Sequence, residues 1–141
     1  MSHLTAHRAG FPDGYTAVTR AADPANATGI GFGVLRLAAG ERWSQPVERE
    51  TAWLLMSGSL RVEAGDVEAT LSRGSLFDES ASCLHVTAGT RVTLHATTAC
   101  ELTVYDCVNA AAFAPRVFRP ADVPNEHRGK GQVRDRSLRY V

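Results

Sequence analysis

The chain has 141 residues, 44% of them hydrophobic and 21% charged, which suits one soluble globular domain and is too short for two. Its 15 basic and 15 acidic residues cancel, which argues against a general nucleic-acid binder, since that role needs a basic excess to neutralise phosphates. No run approaches the ~18 apolar residues of a membrane span, and no charged-then-apolar signal pattern opens the chain, so the expectation is a cytoplasmic protein without membrane contact.

Residues 1–27 are mixed, and Gly10, Pro12, Gly14 and Pro24 interrupt any long element, so this stretch reads as an irregular or edge segment. From residue 28 to 110 short apolar runs alternate with Gly and polar clusters. The runs at 30–37, 52–56, 60–64, 67–71, 75–77, 84–87, 91–95 and 102–108 read as strands, and no helical period is sustained. Ala64-Gly65-Asp66 is expected to close a tight hairpin, with Ala88-Gly89-Thr90 doing the same further on, because Gly supplies the positive φ that such turns demand. This texture predicts an all-β fold, a single jelly-roll barrel of antiparallel strands. Residues 111–141 read as an extended C-terminal arm or tail. Prolines 115, 120 and 124 disfavour helix there, and the polar stretch 125–139 follows.

The three cysteines, Cys83, Cys100 and Cys107, form no CxxC pair and are odd in number, so reduced thiols are expected rather than a disulfide framework. No GxGxxG, P-loop, HExxH or GxSxG motif is present.

Segment 40–65 resembles the first signature of the cupin superfamily, which in metal-binding members runs Gly, five residues, His-x-His, three or four residues, Glu, six residues, Gly. Counted back from Gly58, the Glu position holds Thr51, and the His positions hold Gln45 and Val47, or Ser44 and Pro46. Counted forward from Gly40, they hold Pro46 and Glu48, with Ala52 or Trp53 at the Glu. In the second signature, counted from Gly74, Ser80 and Ser82 replace the Pro and Gly, His85 falls on the His, and Gly89 replaces the Asn. One of four ligand positions is thus occupied. A transition metal usually requires three or four protein ligands, so the metal site is degenerate and no cofactor is expected.

The candidate pocket residues are Gln45, Thr51, Trp53, Cys83 and His85, with His85 the one candidate for catalysis. An imidazole ordinarily titrates near neutrality, so His85 suits acid–base work, and a hydrogen-bonded interior histidine without chemistry is the alternative. Cys83 lies two residues before His85 on the same strand side, where the two point in parallel rather than at each other, a poor arrangement for a nucleophilic pair. Trp53 shares a strand face with Thr51 and Leu55 and is expected inside, as core bulk or as the floor of a ligand pocket. His95 should face solvent, and the charged triplet Glu48-Arg49-Glu50 reads as a solvated loop.

Gly31-Phe-Gly-Val-Leu-Arg-Leu-Ala-Ala-Gly-Glu41 and Leu54-Leu-Met-Ser-Gly-Ser-Leu-Arg-Val-Glu-Ala-Gly65 resemble the N-terminal half of the 5-deoxy-glucuronate isomerases of inositol catabolism. So do Ser75-Leu-Phe-Asp-Glu79, Leu84-His-Val-Thr-Ala-Gly-Thr90 with Val92-Thr-Leu94, Arg119-Pro-Ala-Asp-Val-Pro124 and Arg128-Gly-Lys-Gly131, so the similarity covers residues 10–136. That family is built from two cupin halves and carries its metal-binding residues in the second. The resemblance places Val141 near the start of that half, so no catalytic residue carries over. Before Val86, where the family tends to have an aromatic, this chain has His85. The resemblance implies an intramolecular aldose–ketose isomerase of sugar acids, working through an enediol. A cupin that binds a small carboxylate or sugar without catalysis, or a dimerisation module, is the alternative. A homodimer is also expected, with segment 117–124 as its contact arm.

Overall fold

Apolar residues at every second position give each strand one face that must leave water, and pairing strands face to face is how the chain meets that demand. In the computed structural model, which describes residues 6–128 and 136–139, the strands are β1 (Gly14–Thr19), β2 (Ile30–Leu37), β3 (Arg42–Pro46), β4 (Glu50–Ala64), β5 (Val67–Arg73), β6 (Cys83–Val86), β7 (Arg91–Ala96), β8 (Cys100–Cys107), β9 (Arg116–Phe118), β10 (Asn125–Arg128) and β11 (Arg136–Arg139). Every pairing is antiparallel. One leaf has the order β1-β2-β8-β4-β6-β9, the other is β3-β7-β4-β5, and the long β4 belongs to both. Strands β10 and β11 form a separate hairpin. The remainder of the expected tail, 129–135 and 140–141, lies outside the described residues.

Strand β4 spans both leaves because of a register shift between Leu55 and Ser57. Its buried residues are Thr51, Trp53 and Leu55 before the shift and Leu60, Val62 and Ala64 after it. The inward phase therefore passes from odd to even numbers, which is what one extra residue does to a pattern of period two. Without that bulge the second half of the strand would turn its polar residues into the core. The core joins Leu35, Trp53, Leu55, Leu84, Val86 and Leu102 of the first leaf to Leu60, Val62, Leu71, Val92 and Leu94 of the second. Complete burial of each such side chain contributes about 1.5–3 kcal/mol.

The architecture is the jelly roll that the alternation predicts, with four local differences. The runs 52–56 and 60–64 are one strand, not two. Residues 75–77 form no strand: they belong to a loop whose carbonyls are met by the buried guanidinium of Arg73. Gly89 has a positive φ of 82°, yet β6 and β7 do not pair, so its turn carries the chain from one leaf to the other. Gly65, with φ 56°, does close the β4–β5 hairpin. Strands β1 and β3 lie in segments where no strand was expected.

The C-terminal arm is part of this protomer. Strand β9 pairs with β6, Val117 packs on the core, and Val123 is buried. Of the apolar residues in the expected contact arm, Val123 is thus used within the chain, while Phe118 stays half-buried. No helix among the described residues is long and apolar enough to cross a membrane.

Candidate functional site in the barrel mouth

At one end of the barrel the two leaves leave a cavity of about 400 Å³. Its walls follow from strand phase. Trp43 and Gln45 of β3 sit opposite the buried Leu94 and Val92 of β7, so they face inward. Thr51 and Trp53 of β4 and Val104 and Asp106 of β8 lie on their own strands' inner faces, and Tyr15 and Ala17 of β1 close the side. Trp43 and Trp53 meet edge to face at 6.0 Å and make an apolar floor. Arg20 and Arg49 complete the lining at the loops.

Two glycines of β2 make room for the polar groups. A Cβ on Gly31 would lie 2.0 Å from Asp106 Oδ2, and one on Gly33 would lie 2.5 Å from Tyr15 Oη. Both glycines have ordinary extended backbones, so their role is clearance, as for glycines in strand interiors where another group comes close. Over that cleared strip lie a carboxylate and a phenol. Arg49 Nη1 stands 3.5 Å from Asp106 Oδ1, and that buried oxygen has no hydrogen-bond partner among the described residues. Burial first, and the Asp106 carboxylate second, push the Tyr15 phenol above its ordinary pKa, while Arg20 works the other way.

Of the residues singled out in the sequence, Gln45, Thr51 and Trp53 come together in this mouth. Cys83 and His85 do not. His85 sits opposite Ala52, in the phase of β4 that faces away from the core, so the histidine is on the outer face of the first leaf and not inside the barrel. There its Nε2 donates to Glu50 Oε1 at 2.7 Å, its ring lies 4.7 Å from that of Phe113, and Asn109 Nδ2 donates to Glu50 Oε2. Thr87 Oγ1 also donates to Ala111 O at 2.9 Å, so these contacts fasten segment 109–113 across the sheet. Burial pushes the Cys83 thiol up to about 11, which keeps it protonated at neutral pH and unsuited to nucleophilic attack.

The metal positions do not assemble a site. Gln45 and Thr51 face the mouth, Val47 is apolar, and His85 points the other way. Among the described residues no three His, Cys, Asp or Glu side chains gather where they could hold one cation.

Hydrogen bonds from Asn109, and next from His85, hold the Glu50 carboxyl below its ordinary range. A carboxylate with a lowered folded pKa contributes stability that is fully present above its unfolded value and is lost as pH falls through the folded one. The melting temperature should therefore fall more steeply on acidification from pH 6 to 3 in the natural protein than in Glu50→Gln. The two curves should converge at the acid end. Parallel curves would show that Glu50 does not fasten the segment.

Sequence reasoning missed Tyr15, Asp106 and the part played by Arg49. The available signal was Asp106 itself, a carboxylate in the inward phase set by Leu102 and Val104, opposite a strand with Gly at 31 and 33. The charged triplet is divided by the fold: Arg49 lines the mouth and Glu50 holds the outer segment.

The sequence pattern of the KduI/IolB family matches residues 3–141. An IolB-like protein of Salmonella typhimurium LT2 superposes with a TM-score of 0.76 at 30% identity, over 92% of this chain and 50% of that one. This chain thus spans about half the length of that relative. A cupin superfamily protein of Desulfitobacterium hafniense DCB-2 superposes at 0.52 with 12% identity, over 67% of this chain and 76% of that one. A protein of unknown function from Rhizobium leguminosarum gives 0.53 at 16%, over 70% and 85%; these two likenesses concern the fold alone. A search of curated proteins finds no match.

Proposed function

Because this chain belongs to the KduI/IolB family, the family of 5-deoxy-glucuronate isomerases, and because its barrel mouth sets arginines beside an aromatic floor, we propose that the mouth binds a small carboxylate of the sugar-acid kind. The observation that carries this reading is Arg49. Its guanidinium lines a cavity of about 400 Å³, large enough for a monosaccharide acid, and its carboxylate neighbour Asp106 stands at 3.5 Å, beyond a well-formed hydrogen bond. A ligand carboxylate can take the bidentate geometry that this pair lacks. Trp43, half-buried and backed edge to face by the buried Trp53, offers the apolar surface on which the C–H face of a sugar ring can rest.

Isothermal titration with D-glucuronate tests this. Binding is expected in the natural protein, and Arg49→Ala should weaken it about tenfold or more, as loss of a charge-assisted hydrogen bond does. Unchanged affinity in that variant would remove the basis of the reading.

Family membership together with the neighbouring Tyr15 and Asp106 favours a second reading, isomerisation of an aldose-type to a ketose-type acid in carbohydrate or inositol catabolism. Such a reaction takes a proton from the hydroxyl-bearing carbon beside the carbonyl and returns it to the carbonyl carbon. The hydroxyl proton passes to the former carbonyl oxygen through an enediol, and a carboxylate is a suitable base for the carbon-bound proton. Deuterium from solvent should then appear at the former carbonyl carbon of the sugar acid. Catalysis-free binding predicts none.

A further inference from the structure

An antiparallel sheet that packs on one side ordinarily turns polar residues to water on the other, and the first leaf of this barrel departs from that rule. Trp53 and Leu55 of β4 point into the core, so Ala52 and Leu54 point out. Directly opposite residues of paired strands share a face, and two rows therefore cross the outside of the sheet. One runs Val34, Thr103, Leu54, Cys83 and Phe118, and the other Phe32, Tyr105, Ala52 and His85. Neither row contains Asp, Glu, Lys or Arg. Phe32 and Tyr105 meet across their strands with ring centroids 5.3 Å apart. Next to them stand Ile30, opposite Cys107, and Val108, the residue that follows it. Ile30 is 48% exposed, Tyr105 39% and Val108 79%. Apolar residues exposed singly are ordinary, whereas a contiguous group of them marks a contact surface.

We infer that this outer face is where two copies of the chain meet, sheet on sheet about a two-fold axis, so that one patch covers itself. The charge distribution selects a second copy as the occupant. A strongly basic or acidic partner would find nothing in the two rows to pair with. The borders carry both signs: Arg36 and Glu101 pair at 3.6 Å on one, and Arg116 and Glu50 stand beside His85 on the other. A turned copy therefore meets no block of like charge, and a chain whose 15 basic and 15 acidic residues cancel does not repel itself. The size fits as well. Strands β2, β8, β4, β6 and β9 at about 4.8 Å spacing, and the run from Ile30 to Arg36, outline roughly 20 by 20 Å. Side chains add accessible surface to that outline, which brings it near the ~800 Å² that each partner of a standard interface buries. Phenylalanine and tyrosine without charges are also what interface centres are made of. This pairing is independent of what the mouth binds, because the mouth lies on the inner side of the same strands and stays open.

Sedimentation equilibrium at micromolar concentration should give the natural protein twice the mass of one chain. Tyr105→Arg and Ile30→Arg change exposed side chains and should fold, as thermal melts will check, yet each should weaken the dimer roughly a hundredfold or more by placing an unpaired charge in its centre. Ser72→Arg puts the same charge on the outside of the second leaf and should leave the dimer intact. Hydroxyl-radical labelling of the natural protein needs no variant. Tyr105 should be modified faster as dilution releases monomer, with Tyr15 in the mouth as the unchanging reference. A natural protein that is monomeric at every concentration would overturn the inference. So would a dimer that survives both substitutions, or one in which labelling of Tyr105 does not change on dissociation, since the copies would then meet elsewhere.

Discussion

Gly58→Ala should lower the stability of this barrel by roughly 3 kcal/mol, equivalent to a fall of about 10 °C in melting temperature, for the addition of one methyl group. Two effects add. Gly58 has φ 93°, in the left-handed region that a side chain disfavours. Its position also lies against main chain rather than side chain: a Cβ there would be 2.3 Å from Ala99 O and 2.7 Å from Cys100 Cα. Neither atom can rotate away. The connection between β7 and β8 crosses β4 at this point, held by Thr97 N and Thr98 N donating to Ser59 O at 2.8 and 3.1 Å. Gly65→Ala is the control. It has a positive φ of 56° but meets only Pro115 at 3.5 Å, an ordinary contact, so it should cost about 1 kcal/mol. Equal losses in thermal or denaturant unfolding would mean that the crossing at Gly58 is not tight.

The second large effect should come from Arg73→Met, at about 3 kcal/mol, as expected when a buried charged donor is withdrawn from its acceptors. Arg73 is 7% exposed. Its Nη1 donates to Leu55 O, beside the bulge of β4, and its Nη2 to Leu76 O and Glu79 O, each at 3.0 Å. One planar fork thus joins the bulge to the following loop, a geometry that the single ammonium of lysine cannot reproduce. Arg73→Lys should therefore recover only part of the loss. Phe77 is 85% exposed, which makes chymotrypsin a convenient reporter. Cleavage after Phe77 should accelerate in Arg73→Met, and an unchanged rate together with an unchanged melting temperature would show that the loop holds itself.

These two residues also mark where the sequence could and could not be read. Strands such as β2, β5, β7 and β8 were legible because one face of each is in the core and alternation records that. The continuity of β4 was hidden, because its bulge breaks the alternation and Gly58 resembles a turn. Residues 75–77 looked like a strand because three apolar or small residues in a row carry no sign of a distant guanidinium. Strands β1 and β3 escaped for a different reason: both are edge strands with mixed faces, and β3 ends in a proline.

At the site, the scaffold was easier to read than the chemistry. Gln45, Thr51 and Trp53, singled out by the cupin spacing and the phase of β4, all line the mouth. His85 was not, and strand β6 explains the failure. Cys83, Leu84 and Val86 are all buried, two of them in the core and Cys83 on the outer side, where Phe113 of the C-terminal arm also lies against His85. With both faces shielded, alternation no longer tells inside from outside. The Arg49–Asp106 pair joins residues 57 positions apart in sequence, and only the pairing of β4 with β8 brings them together. The hydrophobic pattern treats Asp106 as an interruption; the fold makes it a wall of the cavity.

The central claim is that the barrel mouth, and not the outer face with its histidine, is where this protein meets its ligand. Crystals soaked in sodium D-glucuronate test it most directly. The account predicts density for one sugar acid in the mouth, with its carboxylate on Arg49 and its ring against Trp43. Density beside His85 and Glu50 with an empty mouth would contradict it.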